Sequence, residues 1–209
     1  VGFSLGPRLN AAGRMGSAGT SLELLLCDDP ENAMALAQAL EVHNRDRQRL
    51  QGAVFDEAVD IIEVEGSLRG DRIIVVHKEG WHKGVLGIAA SKIVEKYGRP
   101  AIVISVEDGI GVGSARSAEG FHLHEAFSAC AGMLEGYGGH QRAAGLKVKH
   151  GRIHELRLKL NEIAKQVLAD RPADPVLEID AELSLGDVSM DLVQAIGGLE
   201  PFGEGNPAP

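Results

Sequence analysis

The sequence predicts an α/β protein in which a mixed β-sheet is flanked by helices and preceded by a long connecting helix. Short apolar runs alternate with amphipathic helical patterns between residues 71 and 168, as expected for a sheet covered by helices. Before them, residues 31–62 follow a helical pattern that no proline interrupts. The 209 residues are 44% hydrophobic and 24% charged, which is ordinary for a folded globular protein.

A glycine-punctuated segment near the start carries two arginines and an asparagine. It comprises Gly6, Pro7, Arg8, Leu9, Asn10, Ala11, Ala12, Gly13, Arg14, Met15 and Gly16. Glycines let a large ligand approach the backbone closely, so the segment predicts a polar binding loop. A helix start with solvated arginines fits the same spacing equally well. The apolar stretch 22–26 follows.

A long helix is predicted from Pro30, because carboxylates such as Asp28 and Asp29 favour a helix N-terminus and proline is tolerated in the first turn. Apolar stripes lie at both ends of this helix, whereas residues 44–49 are polar on every side. A helix of this kind usually bridges two bodies. If it continues to residue 65, it is roughly 50 Å long at 1.5 Å per residue. Gly52 is its weak point, where it could bend.

The middle of the chain alternates strands and helices. The predicted elements are a strand at 72–77, a loop at 80–84, a helix at 85–97, strands at 101–106 and 110–116, a helix at 121–134, a strand at 143–149 and a helix at 152–168. The first two strands flank a helix, which implies a parallel, right-handed crossover. Asp108 and Gly109 predict a hairpin turn, so the third strand should run antiparallel to the second.

The last part of the chain predicts a linker and a small separate unit. Two prolines mark residues 171–175 as the linker. Apolar and polar residues alternate over 177–184, which predicts a half-exposed strand, and a short helix is expected at 190–196. Because the chain begins at Val1 rather than methionine and stops inside a Gly/Pro-rich turn, we expect a piece of a longer protein.

Charge and composition argue against several classes of protein. A formal net charge of −9 disfavours a protein that coats nucleic acid by bulk electrostatics, although it leaves room for a local basic groove. Aromatic residues make up only 4%, so base-stacking platforms are scarce. Cys27 and Cys130 lack metal-like spacing and are interpreted as reduced core residues. No apolar run has membrane-spanning length and no signal peptide is visible, so we expect a cytosolic protein.

The most informative stretch is residues 136–146. Gly138 and Gly139 remove two adjacent Cβ atoms, while His140 and Arg142 place donors beside that opening. Backbone amides, an imidazole and a guanidinium together suit a phosphate group. A tight turn that leads into a strand, with a histidine that only satisfies its own hydrogen bonds, explains the same residues.

Two further segments carry groups suited to an anion. His82 and Lys83 lie where the first strand ends and a helix begins, which is the usual ligand position in parallel α/β layouts. A surface loop with a half-buried tryptophan is the alternative there. On the third strand Ser114 and Arg116 project to one face, with Ser117 next, and a hydroxyl beside a guanidinium suits phosphate oxygens.

The sequence shows no group of residues with the spacing of a bond-breaking centre. Its histidines are scattered, and none pairs with Asp or Glu at a recognised metal-ligand spacing. Ser/His/Asp and Cys/His nucleophile systems find no support either. The residues therefore offer anion-binding groups without a catalytic centre.

Five segments, in this order, resemble the RecJ family of single-strand exonucleases. They are Gly-Pro-Arg-Leu-Asn-Ala-Ala-Gly-Arg at 6–14, Gly-Trp-His-Lys-Gly-Val-Leu-Gly at 80–87, Ser-Ala-Arg-Ser at 114–117, Gly-Gly-His-Gln-Arg-Ala-Ala-Gly at 138–145 and Pro-Phe-Gly-Glu-Gly-Asn-Pro at 201–207. Each motif is weak alone, but their order covers essentially the whole chain. The resemblance implies a bacterial, cytoplasmic enzyme of DNA repair and recombination that removes nucleotides from the 5′ end of single-stranded DNA.

The resemblance also implies a domain plan. Residues 1–27 correspond to the tail of a DHH domain, 28–69 to the connecting helix, 70–170 to the DHH-associated α/β domain, and 171–209 to a linker and the truncated start of an oligonucleotide-binding barrel. The family binds Mn²⁺ or Mg²⁺ through Asp and His residues of the DHH domain. No Asp-His-His triplet occurs in this sequence, so we expect no metal in this chain and no activity from it alone.

Residue roles follow from the same resemblance. Arg8, Ser114 and Arg116 are expected to hold the terminal phosphate. His140 is expected to contact the scissile or adjacent phosphate and to assist catalysis. The other residues expected to bind nucleic acid or phosphate are Asn10, Arg14, His82, Lys83, Ser117, Gly138, Gly139 and Arg142. The expected partners are single-stranded DNA with a 5′ phosphate and the DHH domain, with no membrane, and any dimer of this chain would be artificial.

Three other interpretations stay open at this point. An oligoribonuclease or cyclic-dinucleotide phosphodiesterase of the DHH superfamily shares the Gly-Gly-His segment, although the 6–14 motif and the barrel-like tail favour RecJ. A non-catalytic nucleic-acid-binding module, similar to the domain appended to alanyl-tRNA synthetases, describes the chain taken alone. The third is a plain α/β scaffold whose glycines only serve turns.

Overall fold

The structure is a computed structural model that describes residues 2, 4–65, 70–169, 179–203 and 205–209. The chain divides into two compact units, Val1–Asp174 and Pro175–Pro209. The first unit contains a five-stranded mixed sheet with helices on both faces, which confirms the α/β fold class. Among the described residues, no helix combines the length and the apolar character needed to cross a membrane.

Three helices precede the sheet: α1 (Leu5–Met15), α2 (Gly19–Leu26) and α3 (Pro30–Glu65). The polar loop predicted for residues 6–16 is wrong, because the segment is helical as far as Met15. Pro7 lies in the first turn, where its missing N–H breaks no helical hydrogen bond. Helix α1 packs on α3, and Ala11 and Ala12 of α1 are buried.

The long helix α3 is continuous over its 36 residues and passes through Gly52 without interruption. Asp29 caps its start by accepting a hydrogen bond from the backbone N–H of Asn32 at 3.0 Å. Helix α3 contacts both α1 and α2. Its second half buries Val54, Ala58 and other apolar residues against the sheet and the helix that follows β1.

The strands are β1 (Ile74–Glu79), β2 (Ala101–Glu107), β3 (Ile110–Arg116), β4 (Gly136–Gly139) and β5 (Ala143–Lys149), and their order in the sheet is β1-β2-β3-β5-β4. As predicted, β1 and β2 run parallel and β3 is antiparallel to β2. Asp108 (φ 50°) and Gly109 (φ 75°) form the β2–β3 hairpin, and both are in the left-handed region that such two-residue turns require.

Two predictions in the middle of the chain need correction. The helix expected over 121–134 is shorter: α5 spans only Leu123–Ala129 and is followed by a 3₁₀ turn that contains Gly132, a residue with low helix propensity. Strand β4 was not predicted, because its Gly-Tyr-Gly-Gly sequence has little strand propensity. It is a strand because β5 supplies the hydrogen-bonding partner.

Helices cover both faces of the sheet. On one face α5 and α6 (Ile153–Val167) pack against β2 residues such as Ile102 and Ile104. On the other face α4 (Leu86–Tyr97) and the end of α3 pack against Ala101 and Val103. Ser114 pairs with Val103 and Arg116 with Ala101, so both side chains lie on one face of the sheet, as predicted, and α4 covers that face.

The second unit contains one helix among its described residues, α7 (Met190–Gly197), which the Ser189 hydroxyl caps at the Leu192 N–H. The strand predicted over 177–184 is wrong for 179–184, which hold no strand. In residues 179–203 and 205–209 the one β-bridge joins Gly203 and Asn206. A strand at 179–184 would therefore have no neighbouring strand among these residues to hydrogen-bond with. Residues 177 and 178 and the linker at 171–175 lie outside the described residues.

Candidate phosphate-binding site

Arg116, the last residue of β3, lies at the centre of the candidate site. Its guanidinium lies over Gly87 in the first turn of α4, where an added Cβ would be 2.7 Å from Nη2. Nη1 donates a hydrogen bond to the carbonyl oxygen of Ala115 at 2.8 Å. Burial, and then the positive charge of Arg14, lower the pKa of Arg116. The side chain is therefore packed in place beside a second cation.

Arg14, in the last turn of α1, reaches the loop before α4. Its Nη1 donates to the carbonyl oxygen of Gly84 at 3.3 Å. An added Cβ on Gly84 would overlap the carbonyl group of Arg14, so this close approach of two backbones requires glycine. The contact docks α1 against the loop and holds Arg14 next to Arg116.

A third arginine, Arg47 of α3, joins them, and the sequence analysis did not identify it. Burial, and then the charge of Arg14, lower the pKa of Arg47. Its Nη1 donates to Oε1 of Gln51 at 2.7 Å and its Nη2 to Oδ1 of Asn44 at 3.0 Å. Its Nε is buried and has no hydrogen-bond partner among the described residues. We call Arg14, Arg47 and Arg116 the arginine cluster.

The arginine cluster is not neutralised by carboxylates. Within the described part of the chain, none of its three members forms an ion pair. Other arginines do, at 2.6 Å for Arg8 with Glu41 and 2.8 Å for Arg157 with Asp71. In a chain of net charge −9, three uncompensated guanidinium groups from three elements form a local positive site. Such a site favours an anion with several oxygen acceptors.

Next to Arg116, the α4 face of the sheet carries a row of small residues. The register aligns Ser114 with Gly145 and Gly145 with Gly138. An added Cβ on Gly138 would meet nothing within 4 Å, and one on Gly145 would meet only the Gly113 carbonyl oxygen at 3.7 Å. The fold therefore does not need glycine at these two positions. Their small size leaves an open surface beside Ser114.

The turn that follows β4 lies at the same end of the sheet as the end of β3. The backbone N–H of Ser117 donates a hydrogen bond to the carbonyl oxygen of Arg142 at 3.0 Å. The backbone N–H of His140 donates one to the carbonyl oxygen of Ala143 at 2.8 Å. Gly139 has a φ of 137°, which disfavours any other residue. The His140 side chain is exposed. The backbone thus brings the His140 turn next to the strand end that carries Arg116.

Several predicted site residues are engaged elsewhere. Arg8 is paired with Glu41 on α3, and its hydrogen bond lowers the pKa of that carboxyl. Lys83 is paired with Glu107, which lies at the opposite end of β2 from the residue that faces Arg116. The hydroxyl of Ser117 donates to carbonyl oxygens of its own turn.

In the part of the chain that the structure describes, neither His82 nor Asn10 forms a hydrogen bond with a side chain of the arginine cluster. Nδ1 of His82 accepts a hydrogen bond from the N–H of Gly84 at 3.2 Å, so this side chain stabilises the loop. Asn10 is exposed on α1.

The chemistry of the site fits an anion rather than a metal ion. Guanidinium groups are donors without an acceptor lone pair. In the described ranges, no three His, Cys, Asp or Glu side chains lie together so that they could hold a metal ion. The described residues therefore do not fit a metal ion.

Comparison with known proteins identifies the family to which the sequence is similar. A family model described as the DHHA1 domain matches residues 70–166, and one described as the RecJ OB domain matches residues 179–209. The single-stranded-DNA-specific exonuclease RecJ of Bacillus subtilis (strain 168) is 41% identical over 211 residues, which is 100% of this chain and 27% of that protein.

Solved structures agree as well. The crystal structure of RecJ in complex with Mg²⁺ from Thermus thermophilus is similar with a TM-score of 0.80 at 33% identity, over 99% of this chain and 32% of that one. The Mn²⁺ complex from the same organism has the same TM-score and identity, over 99% and 30%. The chain spans 27% to 38% of the curated relatives it matches. By sequence and by fold, the chain belongs to the RecJ family and carries its DHHA1 domain.

Proposed function

We propose that this chain is the substrate-gripping part of a metal-dependent exonuclease that degrades single-stranded DNA from the 5′ end. The observation that carries the proposal is the arginine cluster, whose three guanidinium groups have no carboxylate partner among the described residues. The relatives named single-stranded-DNA-specific exonuclease RecJ support this substrate. The RecJ OB match favours long strands over dinucleotides, because barrels of this class bind oligonucleotides.

In this proposal Arg116 and Ser114 hold the terminal 5′ phosphate. A fork of guanidinium donors and a hydroxyl on the same face of the sheet suit its oxygens. The row of small residues beside Ser114 lets the strand lie close to the sheet, and His140 contacts the scissile or adjacent phosphate. The chain thus positions the substrate and opposes its charge.

The metal chemistry belongs, in this proposal, to the Asp-His-His residues of a DHH domain, a triplet that does not occur in the present sequence. Residues 1–27 are the tail of that domain, and residues 28–69 connect it to the DHH-associated domain at 70–170. Residues 171–209 lead into the oligonucleotide-binding barrel. The two Thermus thermophilus structures contain Mg²⁺ and Mn²⁺, which supports these metals for the longer protein. We place that protein in the bacterial cytoplasm. The present chain alone binds DNA without cleaving it.

Binding of a 5′-phosphorylated thymidine oligonucleotide, measured by fluorescence anisotropy, tests the proposal. Arg116→Ala is expected to weaken binding by about 1–3 kcal/mol, because hydrogen bonds between charged groups contribute this much. The matched control is Arg49→Ala, which removes an exposed arginine paired with Asp46 and should leave the affinity unchanged. Binding should weaken with added salt and without the 5′ phosphate. An Arg116→Ala variant that binds as tightly as the original chain would contradict the proposal.

A further inference from the structure

Arg47 is held by neutral groups at positions where acidic residues would fit. Asn44 and Gln51, its two hydrogen-bond acceptors, are only 3% and 8% exposed. They lie three residues before it and four residues after it on α3, so all three side chains share one side of the helix. Amide oxygens orient a guanidinium as a carboxylate would, but they leave its positive charge uncompensated.

Within the described ranges, the neighbouring arginines of α3, unlike Arg47, form ion pairs with carboxylates. Arg45 pairs with Glu41 and Arg49 pairs with Asp46, and both arginine side chains are about three-quarters exposed. Arg47 is the most buried of the three, yet it is the one without a carboxylate among the described residues. Burial makes an uncompensated charge more costly, so the opposite arrangement would be expected if the side chain only stabilised the fold.

Two further features indicate that the donors and the charge of Arg47 are not fully satisfied by the described residues. Its Nε is buried and finds no hydrogen-bond partner in the described part of the chain. The charge that acts on it most directly is another positive charge, that of Arg14. Arg14 also lowers the pKa of Arg116, so its positive charge acts on both other members of the arginine cluster. An anion placed between Arg14 and Arg47 would remove their repulsion.

We propose that Arg47 and Arg14 form a second anion position, for the phosphodiester that follows the terminal phosphate held by Arg116. This inference rests on the proposed function and deepens it, because it assigns the connecting helix a direct role in gripping the strand. A ligand with two successive phosphates engages both positions. A ligand with one phosphate engages only the position at Arg116.

The test compares thymidine 5′-monophosphate with the 5′-phosphorylated dinucleotide pdTpdT, by calorimetric titration of the 209-residue chain. The original chain should bind the dinucleotide about tenfold more tightly than the mononucleotide, because the extra phosphate adds charged hydrogen bonds. Arg47→Met should abolish this preference, because it weakens binding of the dinucleotide far more than binding of the mononucleotide. Arg49→Met is the matched control and should keep the preference.

A second variant separates binding from folding. Gln51→Glu keeps the shape of the residue and places a carboxylate at the oxygen that now lies 2.7 Å from Nη1 of Arg47. Its circular dichroism and melting temperature should show an intact fold, while its dinucleotide preference falls several-fold, because Arg47 is then neutralised. A Gln51→Glu chain that keeps the full preference would overturn the inference.

The outcomes also distinguish this inference from the proposed function. If Arg116→Met leaves the affinity for both ligands unchanged, the proposed function is wrong and this inference falls with it. If Arg116→Met weakens both ligands while Arg47→Met keeps the preference for pdTpdT, the proposed function stands and the second anion position is wrong.

Discussion

At Gly87 the missing side chain makes room for an arginine. Gly87 is buried in the first turn of α4, and the guanidinium of Arg116 occupies the space that a Cβ would need. The contact involves the far end of a long side chain, which can move away without disturbing the backbone. Glycine at this position therefore fixes where the positive charge lies, and the helix itself would be more stable with alanine.

This contact leads to a prediction that separates stability from binding. Gly87→Ala is expected to keep or slightly raise the free energy of unfolding, because alanine favours helix, while it weakens binding of a 5′-phosphorylated oligonucleotide about tenfold by displacing Arg116. Urea denaturation and fluorescence anisotropy measure the two quantities. Gly52→Ala is the matched control, since an added Cβ there meets nothing within 4 Å. It should stabilise α3 by up to about 1 kcal/mol without changing affinity. Unchanged binding by Gly87→Ala would show that the position of Arg116 does not matter.

The sequence predicted part of the site at residue level. Alternation along β3 correctly placed Ser114 and Arg116 on one face. Arg47 was not predicted as a site residue. It lies within the polar run at 44–49, which was interpreted only as the solvent-exposed middle of a helix that connects two domains. A signal was present: Arg45 and Arg49 have an acidic residue three or four positions away, and Arg47 has none. Its burial, however, comes from the packing of α3 against other elements, which no local pattern encodes.

Among the elements, the loop between β1 and α4 is fixed by one side chain, Trp81. Its indole Nε1 donates to Oε2 of Glu57 on α3 at 2.7 Å, and its carbonyl oxygen accepts from the Ser105 hydroxyl on β2 at 2.6 Å. The ring itself is buried. Since this loop also carries Gly84, which docks against α1, Trp81 helps to set the position of Arg14.

The Glu57–Trp81 contact predicts a dependence of stability on pH. The hydrogen bond from Trp81, followed by that from Lys78, lowers the pKa of Glu57. A carboxyl with a lowered folded-state pKa adds stability above its unfolded pKa, and this stability is lost as the pH falls through the folded value. Replacing Glu57 by Gln should therefore destabilise the chain at pH 7 but much less at low pH, so that the two unfolding curves converge on acidification.

Urea denaturation at pH 7 and at acidic pH measures this convergence. The size of the effect is modest, because the Glu57 side chain is 43% exposed and solvent screens its interactions. Glu95→Gln is the control, since Glu95 is exposed and forms no ion pair with the described residues. A constant difference between Glu57→Gln and the original chain at all pH values would argue against a role for the ionised carboxylate.

How well each element could be predicted depended on the source of its stability. Strands β2, β3 and β5 have apolar or alternating sequences, and their predicted bounds agree with the structure to within one residue. Strand β4 and helix α1 contain several glycines, and both depend on neighbouring elements: β4 is hydrogen-bonded to β5, and α1 buries two alanines and packs on α3. Tertiary contacts of this kind are not visible in a local window.

On the scale of the whole molecule, an acidic chain carries a small cationic site. The net charge of −9 repels nucleic acid at long range, so binding depends on short-range contacts at the arginine cluster. The first unit supplies all three arginines, from α1, α3 and β3. A site built from elements so far apart in sequence exists only when the unit is folded. Tight general binding of DNA would contradict this arrangement.

The last prediction concerns the proposed separation of substrate binding, by this chain, from phosphodiester hydrolysis, by the DHH domain. The purified chain should bind a 5′-phosphorylated single strand but release no nucleotides in the presence of Mn²⁺ or Mg²⁺. Guanidinium, amide and hydroxyl groups orient phosphates, whereas the sequence has no Asp-His-His triplet and the described residues have no cluster able to hold a metal ion. Gel electrophoresis of an end-labelled oligonucleotide measures release, with the full-length Bacillus subtilis relative as the positive control. Arg116→Ala distinguishes a contaminant from the chain itself: cleavage that persists in this variant comes from another nuclease. Cleavage that Arg116→Ala abolishes would show that this chain carries its own catalytic centre, and that the cutting groups were wrongly assigned to a separate domain.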